Sequence, residues 1–403
     1  MSQKLLISAN KIITDESGYL LTHTFVDEQI PTIDSGTWLW ASQAVQPSDS
    51  TSIGYDVVIA PSGNCYATGN IQNTATFGDT TLTGVGSRMF ITKLDSLGNW
   101  LWATQPDNIG SIYGYGITID SLENCYVSGT FDGTAIFGST TLTGINSDTN
   151  TFVAKLDSSG NWLWAIQGIQ ISGTTSFVGW NIAADSSGFC ITGSFSGVIT
   201  FGATTLTNAN SDAAFVAKFD SLGNWLWAKQ AHKISGAGDM ALSIAADSSG
   251  NYYITGTFQD ITAFGSTSLT STGEQDIYVA KLNASGNWLW AIKAGGILTE
   301  QGIDIVADSS GNCFVTGLFR GTAAFDAINI TSTGSANADI FIAKLNSSGE
   351  WLWATKAGNT GLDQGLGIVA DSSGDCYVTG VFQGTTAFGS TSLTSTGEQD
   401  IYV

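Results

Sequence analysis

Short apolar segments alternate along the chain with turns rich in Gly, Ser, Asp and Asn. In one stretch the segments IDIVAD, CFVTGLF and DIFIAKL follow one another, separated by SSGN-type turns and by the insert AAFDAINITSTG. Such segments predict β-strands, and the insert predicts a small extra hairpin. No long segment keeps an apolar period of 3.6 residues, so helix is expected to be minor.

A Trp-Leu-Trp-Ala motif sets the period of this pattern. Its copies lie 62 or 63 residues apart and hold twelve of the 13 tryptophans, with Trp180 left over. They begin at Trp38, Trp100, Trp162, Trp225, Trp288 and Trp351. A fixed period of this length indicates a repeat architecture. Each period contains three strands, an insert hairpin and the tryptophan-bearing fourth strand.

Four strands per period and six periods predict an all-β fold, a six-bladed β-propeller of ~62-residue repeats. Radial packing buries both faces of every sheet, and the two tryptophans of each fourth strand would cover surface between neighbouring blades. The motif is therefore interpreted as structural, with ligand stacking as the alternative.

The predicted domains are an N-terminal arm, residues 1–35, and the propeller, residues 36–403. The last repeat reaches only its third strand, whereas the first begins with an unpaired fourth strand. Strand 37–42 is thus expected to complete the blade formed by 364–403 and close the ring, which removes exposed edges. The alternative is an open fragment of a longer array. In the arm, a hairpin around the DESG turn would serve attachment or oligomerisation.

The recurring Asp-Ser-Ser-Gly-Asn string has two readings. Asp hydrogen-bonds the backbone ahead of it and Gly takes a left-handed position, as a tight turn requires. The string also resembles a calcium loop, but it lacks the later acidic ligands of a full cage. The turn is favoured, and calcium is the one cofactor kept open. Ala60 and Glu123 depart from this pattern without explanation.

Five cysteines and five lysines each recur at one position of the repeat. Equivalent positions of successive repeats usually lie beyond the ~7 Å Cα limit for a disulfide. The cysteines are therefore expected to pack as small apolar strand residues, and the lysines to cover apolar surface or pair with carboxylates. The cysteines are Cys65, Cys125, Cys190, Cys313 and Cys376, and the lysines are Lys93, Lys155, Lys218, Lys281 and Lys344.

The net charge of −21 disfavours nucleic acid and anionic lipid as partners. No run of 18 apolar residues predicts a membrane span, and the N-terminus does not resemble a secretory signal. A surface-exposed or particle-associated location is favoured, by a route that the sequence does not show.

An enzyme is not predicted, and no catalytic residue or metal site is assigned. Only two histidines occur, and no nucleophile motif or phosphate-binding loop is found. The remaining catalytic option is a carbohydrate-active enzyme that uses carboxylates alone. Its candidates are Asp56, Asp239, Asp304 and Asp363.

The links from each fourth strand to the next first strand differ in every repeat, whereas the turns at the opposite end are nearly uniform. A diverse loop face can be shaped for a ligand, although loops also drift. At one position of the first strand, Tyr55, Tyr115 and Trp180 precede three aliphatic residues. These aromatic side chains would bind a flat ligand or pack between blades. Further candidate ligand-binding residues are Asp107, His232, Asp239, Glu300 and Asp363.

The segments GIVADSSGDCYVTG and DIYVAKLNASGNWLWA resemble the bacterial β-propeller repeat (SBBP-type) family of long surface and secreted proteins. The resemblance covers roughly residues 36–403 and implies the propeller fold, but it says little about function. Residues 262–279 and 386–403 are identical, which indicates growth by duplication.

The predicted function is a non-catalytic binding or display module that recognises a glycan or protein receptor through the diverse loop face. The alternative is a structural or scaffolding component of a larger assembly, attached through residues 1–35.

Overall fold

The computed structural model describes residues 6–8, 11–13, 42–46, 52–144, 149–172, 178–334, 337–371, 374–395 and 400–402. Within these ranges the protein is all-β, with no helix. The described part of the chain accordingly offers no helix that could cross a membrane. Residues 37–41, which carry the first Trp-Leu-Trp motif and all but the last residue of the predicted closing strand 37–42, lie outside the described residues.

A small hairpin lies in the N-terminal arm, where Leu6–Ser8 pairs antiparallel with Lys11–Ile13. The predicted DESG turn, residues 15–18, falls outside the described ranges. Attachment through this arm stays a prediction.

The chain divides into two compact units, residues 1–167 and 168–403. The first unit contains two four-stranded antiparallel sheets, here called sheets 1 and 2, and a three-stranded sheet beside them. Sheet 1 is Ser52–Ile59, Cys65–Phe77, Thr80–Leu94 and Trp100–Thr104; sheet 2 is Ile112–Ile119, Cys125–Phe131, Asn150–Leu156 and Trp162–Gln167; the small sheet is Asp107–Ile109, Thr134–Phe137 and Thr140–Thr143.

The second unit contains sheets 3 to 6, and the inserts of sheets 4 to 6 form separate small hairpins. Sheet 3 is Ile169–Ser172, Val178–Asp185, Gly188–Phe201, Thr204–Phe219 and Trp225–Gln230; sheet 4 is Met240–Ala246, Tyr252–Phe258, Asp276–Leu282 and Trp288–Ala294. Sheet 5 is Gln301–Ala307, Cys313–Phe319, Asp339–Leu345 and Trp351–Ala357; sheet 6 is Gln364–Ala370, Cys376–Phe382 and Asp400–Tyr402. The small strands are His232–Ser235, Ile261–Phe264, Thr267–Thr270, Thr322–Phe325, Ile328–Thr331, Thr385–Phe388 and Thr391–Thr394.

The predicted strand order and the insert hairpins are confirmed in sheets 2, 4 and 5. Sheets 1 and 3 differ, because there the insert is continuous with the second and third strands as one long hairpin. Sheet 6 has three strands among the described residues.

Consecutive sheets within a unit pack face to face, with their first strands adjacent. The apolar core lies between them: Tyr66 and Met89 of sheet 1 cluster with Val127 of sheet 2, and Cys190 of sheet 3 clusters with Ile254 of sheet 4. Sheets 4 and 5, which have a neighbour on each side, therefore bury both faces, as predicted for blade-like packing.

The structural role of the Trp-Leu-Trp motif is confirmed in the five copies that the structure describes. The first tryptophan meets a phenylalanine of its own insert in all five, and in three of them the second can donate its indole N–H to a turn of the next sheet. The first contacts are Trp100–Phe77, Trp162–Phe137, Trp225–Phe201, Trp288–Phe264 and Trp351–Phe325, with ring centres 4.8–5.2 Å apart. The N–H bonds run from Trp102 to Ser158 O at 3.1 Å, Trp227 to Ala284 O at 3.1 Å and Trp290 to Ser347 O at 3.3 Å.

The turn interpretation of the Asp-x-x-Gly-Asn string is also confirmed. Asp95 Oδ1 accepts the N–H groups of Leu97 and Asn99, each at 2.9 Å, and Gly98 has φ +82°. The aspartate oxygens thus satisfy their own turn, as the short polar side chain at this position is expected to do.

The cysteines and lysines behave as the repeat pattern predicts. All five cysteines, which lie in the described part of the chain, are free thiols, and four are buried. Each recurrent lysine places its ammonium 4.4–5.1 Å from an aromatic ring centre. Three of them also pair with carboxylates: Lys93 with Glu123, Lys155 with Asp120 and Lys218 with Asp185.

Candidate functional site

Three tyrosines of the first strands of sheets 1 and 2 form a half-buried group, here called the tyrosine cluster. The rings of Tyr55 and Tyr115 meet edge to face with centres 5.2 Å apart. The rings of Tyr113 and Tyr115 are parallel with centres 5.9 Å apart. Sequence reasoning identified Tyr55 and Tyr115 and missed Tyr113. The period of two along a strand was the available signal, because it places Tyr113 and Tyr115 on one face.

Local backbone features hold the tyrosine cluster in place. Each of the two first strands has a register shift beside its tyrosine, between Gly54 and Asp56 and between Gly114 and Gly116. A Cβ at Gly114 would lie 2.4 Å from Thr68 Oγ1, so a side chain there would force sheets 1 and 2 apart. The glycine therefore permits the close approach that brings Tyr115 to Tyr55.

Trp180, the third predicted aromatic residue, belongs to the second unit and is half-buried in the first strand of sheet 3. Leu242, Ile303 and Leu366 hold the equivalent positions in sheets 4 to 6 and are also half-buried. The accessible side of the first strands is therefore lined by tyrosines in the first unit and mainly by aliphatic side chains in the second.

Asp107 and His232 are exposed, as expected for residues of the diverse links. Asp107 begins the strand Asp107–Ile109, and His232 pairs through its backbone with Ala263 of the insert hairpin. Both side chains are open to a partner.

Asp239, Glu300 and Asp363 are fully buried, unlike the other candidates. Each ends the link that leads into a first strand, and its main-chain N–H bonds to a carbonyl that lies within the preceding third strand or directly before it. Because these carboxylates lie beneath the links, their predicted contact with a ligand stays a prediction. We call the three sites the Asp239, Glu300 and Asp363 junctions.

The Asp239 junction is neutralised by a buried lysine. Lys233 Nζ lies 2.7 Å from Asp239 Oδ1, and Thr262 Oγ1 donates to Asp239 Oδ2 at 2.7 Å. Burial raises the pKa of Asp239, against the opposing effect of the ammonium.

The Asp363 junction uses neutral donors instead. Asn359 N–H donates to Asp363 Oδ2 at 2.8 Å, and Thr386 Oγ1 donates to Oδ1 at 3.0 Å. Gln383 N–H adds a bond of 3.2 Å to Oδ1. Burial raises the pKa of Asp363.

The Glu300 junction is the least satisfied of the three. Gly296 N–H donates to Glu300 Oε2 at 2.8 Å, while Oε1 is buried without a hydrogen-bond partner. Burial raises the pKa of Glu300 to about 8, and the carboxylates of Asp276 and Glu274 act in the same direction.

Two further buried carboxylates connect first strands of neighbouring sheets. Asp56 Oδ2 accepts Ile117 N–H at 2.7 Å, which links sheets 1 and 2. Asp304 accepts Ser243 Oγ at 2.6 Å and Ile368 N–H at 2.8 Å, which links sheets 4, 5 and 6.

Asp56, Asp239, Asp304 and Asp363, the carboxylates of the carbohydrate-active alternative, are all buried and hydrogen-bonded within the protein. Within the described ranges, no three His, Cys, Asp or Glu side chains form a group that could hold a metal. The arrangement therefore gives that catalytic alternative no support.

Comparison with known proteins finds similarity to a WD repeat-containing protein. The chain is 26% identical over 370 residues to an uncharacterized WD repeat-containing protein of Acanthamoeba polyphaga mimivirus. The match covers 73% of this chain and 26% of the relative, so the chain spans about a quarter of that protein's length. No family model matches, and the narrower bacterial repeat family stays a prediction.

Two solved structures are similar over most of the chain. One is a Bacteroides caccae protein of unknown function, 11% identical, with a TM-score of 0.41 over 88% of this chain and 93% of that chain. The other is YCF48 bound to a peptide, 11% identical, with a TM-score of 0.39 over 89% of this chain and 82% of that chain.

Proposed function

We propose that this protein is a non-catalytic binding module that recognises a glycan or protein partner with the tyrosine cluster and the links around it. The propeller fold is consistent with a protein-interaction module. The observation that carries the proposal is the cluster itself: three aromatic rings in contact, each partly open to solvent, on the accessible side of two first strands.

The chemistry of the cluster favours a flat or apolar ligand group. Aromatic side chains supply large, rigid contact area at a small entropy cost, and they stack on sugar rings and peptide side chains. A net charge of −21 repels anions, so the partner is expected to be neutral or cationic. Asp107 adds an exposed negative group in the first unit.

The proposal extends to adhesion or receptor recognition at a cell or particle surface. Residues 1–35 would then attach the module, and a purely scaffolding role through the same residues is the alternative.

A glycan array with the purified chain, run with calcium and again with chelator, tests recognition. We expect binding to a related set of sugars and a loss of about tenfold or more in affinity for the Tyr55→Ala/Tyr115→Ala variant, since two anchoring rings are removed. Tyr377→Ala is the matched control, because Tyr377 is an exposed tyrosine outside the cluster. Unchanged affinity in the folded double variant would exclude the cluster as the binding site.

The proposal also includes the finer architecture, six blades closed by strand 37–42. Val45 forms a backbone bridge with Thr76, just as Gly295 does with Ala324 and Gly358 with Ala387. Each bridging residue lies seven positions after the first tryptophan of its repeat. Residues 42–46 thus take the place that a link takes after a fourth strand, which supports a fourth strand immediately before them.

Sheet 6 supplies the second argument for closure. Residues 262–279 and 386–403 are identical, yet Leu269 is 8% exposed and Leu393 is 37% exposed. In sheet 4 the insert lies against the fourth strand, where Phe264 meets Trp288. A fourth strand on sheet 6 would cover Leu393 in the same way.

A further inference from the structure

The three buried junctions have the same backbone arrangement. In two of them, the Asp239 and Asp363 junctions, a side-chain donor also lies beside the buried carboxylate. In the Asp239 junction the ammonium of Lys233 bonds to the carbonyl of Gln259 and lies 3.4 Å from Thr262 Oγ1. In the Asp363 junction the side-chain amide of Asn359 bonds to the equivalent groups, Gln383 O and Thr386 Oγ1. A donor group therefore sits between the carbonyl and the hydroxyl in both.

The Glu300 junction lacks both parts of this design. Gly296 stands where the sister junctions have Lys233 and Asn359, and Ala323 stands where they have the threonines. Glu300 Oε1 consequently has no partner, although the residue is fully buried. Such a carboxylate oxygen is strongly disfavoured unless a positive group or a donor reaches it.

The backbone of residue 296 lies close to that oxygen. The point where a Cβ of residue 296 would stand lies 3.6 Å from Glu300 Oε1 and next to the carbonyl oxygen of Thr322. On the other side of the carboxylate, a Cβ at Gly295 would lie 2.8 Å from Asp276 Oδ1 and 2.9 Å from Glu300 Oε2. Asp276 Oδ1 is likewise buried without a partner.

Nearby positive charge does not reach Glu300. Lys293 lies 3.2 Å from Asp276 Oδ2 and thereby neutralises that carboxylate. Arg320 replaces the glutamine of the sister junctions, but it makes no ion pair with any described residue. Glu274, also acidic, is exposed at the edge of the junction.

We propose that the Glu300 junction binds a hard metal cation in the place that the Lys233 ammonium holds in its sister. The oxygens on that side of the junction are Glu300 Oε1, the carbonyl oxygen of Thr322 and, by equivalence with Gln259 of the sister junction, the carbonyl oxygen of Arg320. Oxygen-only ligands of this kind suit Ca²⁺ or Na⁺ and do not suit the metals that prefer nitrogen or sulfur. The site lies in the second unit and is independent of the proposed role of the tyrosine cluster.

The test uses the full chain, freed of metal with chelator, and two probes, CaCl₂ and NaCl, at constant ionic strength set with choline chloride. A bound cation stabilises the folded state by mass action, so we expect one of the probes to raise the melting temperature by about 3 °C or more at saturation. Equilibrium dialysis with ⁴⁵Ca²⁺ or ²²Na⁺ gives the stoichiometry, expected to be one ion per chain.

Three variants assign the effect to the junction. Glu300→Gln keeps the acceptor for Gly296 N–H but loses the charge, and it should abolish both binding and the melting shift. Ala323→Thr supplies the hydroxyl of the sister junctions and should reduce the shift at least twofold. Arg320→Gln restores the sister residue and should leave the shift unchanged.

The proposal is overturned if neither probe binds, or if binding persists in Glu300→Gln. Loss of the shift in Arg320→Gln would also overturn it, since the arginine would then be the group that responds to salt.

Discussion

Glu123 Oε2 lies 3.0 Å from Lys93 Nζ, and this ion pair explains two departures from the repeat pattern at once. In sheets 2 and 3 the recurrent lysine pairs with the aspartate of its own first turn. Sheet 1 has Ala60 at that position, and Glu123 of the following repeat reaches back to supply the carboxylate. Glu123 takes the left-handed backbone conformation, φ +57°, that glycine holds in the other turns.

The hydrogen bonds of Glu123 also keep its carboxyl group ionised. Partial burial alone would raise the pKa of Glu123, but hydrogen bonds from Ser62, Tyr66, Lys93 and Asn64 outweigh burial and lower the pKa to about 2. A carboxyl with a depressed folded pKa contributes stability that is present above its ordinary pKa of 4.5 and is lost as the pH falls toward 2.

The first prediction concerns the replacement of the missing aspartate at position 60 by Glu123 of the following repeat. Glu123→Gln removes the charge beside Lys93 and should lower the free energy of unfolding by about 1–3 kcal/mol at pH 7, measured by urea denaturation. Adding Ala60→Asp should recover at least half of the loss, because the aspartate then pairs with Lys93 as in sheets 2 and 3.

The single variant Ala60→Asp is the control for this double-mutant cycle. It should have little effect alone, since Lys93 already has a partner, so the coupling between the two sites should be ~1 kcal/mol or more. Additive effects would mean that the two positions do not serve the same lysine.

The second prediction is a pH dependence at Asp304. Burial raises the pKa of Asp304 to about 7 from its ordinary 3.8, so the folded state holds a proton that the unfolded chain has released between these values. This contribution to stability is fully present below pH 3.8 and is lost as the pH rises through 7. Asp304→Asn should therefore flatten the decline in stability between pH 4 and 7, measured by thermal denaturation across that range.

Asp304→Ala is the companion variant. It leaves Ile368 N–H and Ser243 Oγ without their acceptor inside sheets 4 to 6 and should cost about 2–4 kcal/mol at every pH. If Asp304→Asn retains the wild-type pH profile, another group is responsible for it.

The third prediction separates the tryptophans from the leucine of one fourth strand. Trp290 covers Gly349 of the next sheet and can donate its N–H to Ser347 O, whereas Leu289 is 50% exposed. Trp290→Ala should lower the free energy of unfolding by about 2–4 kcal/mol, and Leu289→Ala should change it by less than about 0.5 kcal/mol. Equal losses in guanidinium denaturation would contradict the interblade role of the indole.

The fourth prediction tests closure of the ring with a disulfide. In sheet 4, Val279 pairs with Ile292, and Val403 and Ser42 hold the same positions in their repeats. Ser42→Cys/Val403→Cys should therefore form a disulfide within one chain on oxidation, detected by non-reducing electrophoresis and peptide mass mapping. Ser42→Cys/Val381→Cys is the control. A cross-linked dimer would instead indicate strand exchange between copies, and the absence of a cross-link would count against closure.

The repeat pattern was sufficient to predict the strands and their order. Strand bounds such as Cys313–Phe319 and Asp339–Leu345 match the apolar segments directly, because turn residues flank both ends. The long hairpins of sheets 1 and 3 were not predicted. Packing against neighbouring elements, and not the sequence of the insert alone, decides whether the insert bends away from its strands.

The candidate site was predicted less completely. The repeat places Tyr55 and Tyr115 at equivalent positions of their first strands, but their contact needs the bulge and the close approach at Gly114. The burial of Asp239 and Glu300 has no local signal, because it depends on how the link folds over the preceding sheet. The ion pair of Lys93 with Glu123 joins two repeats, so neither repeat taken alone predicts it.

The indole N–H groups of Trp102, Trp227 and Trp290 find their acceptors one repeat further along the chain. A gene that lengthens by copying whole periods therefore gives each new sheet both groups of this contact. One is the indole N–H that bonds to the following sheet, and the other is the turn carbonyl that accepts the N–H of the preceding sheet. Copying any other length would put the two out of phase. Only duplication of whole periods keeps this interface intact, which accounts for the near-constant spacing of the motif. The identical segments at 262–279 and 386–403 hold equivalent positions in their repeats, as such a duplication requires.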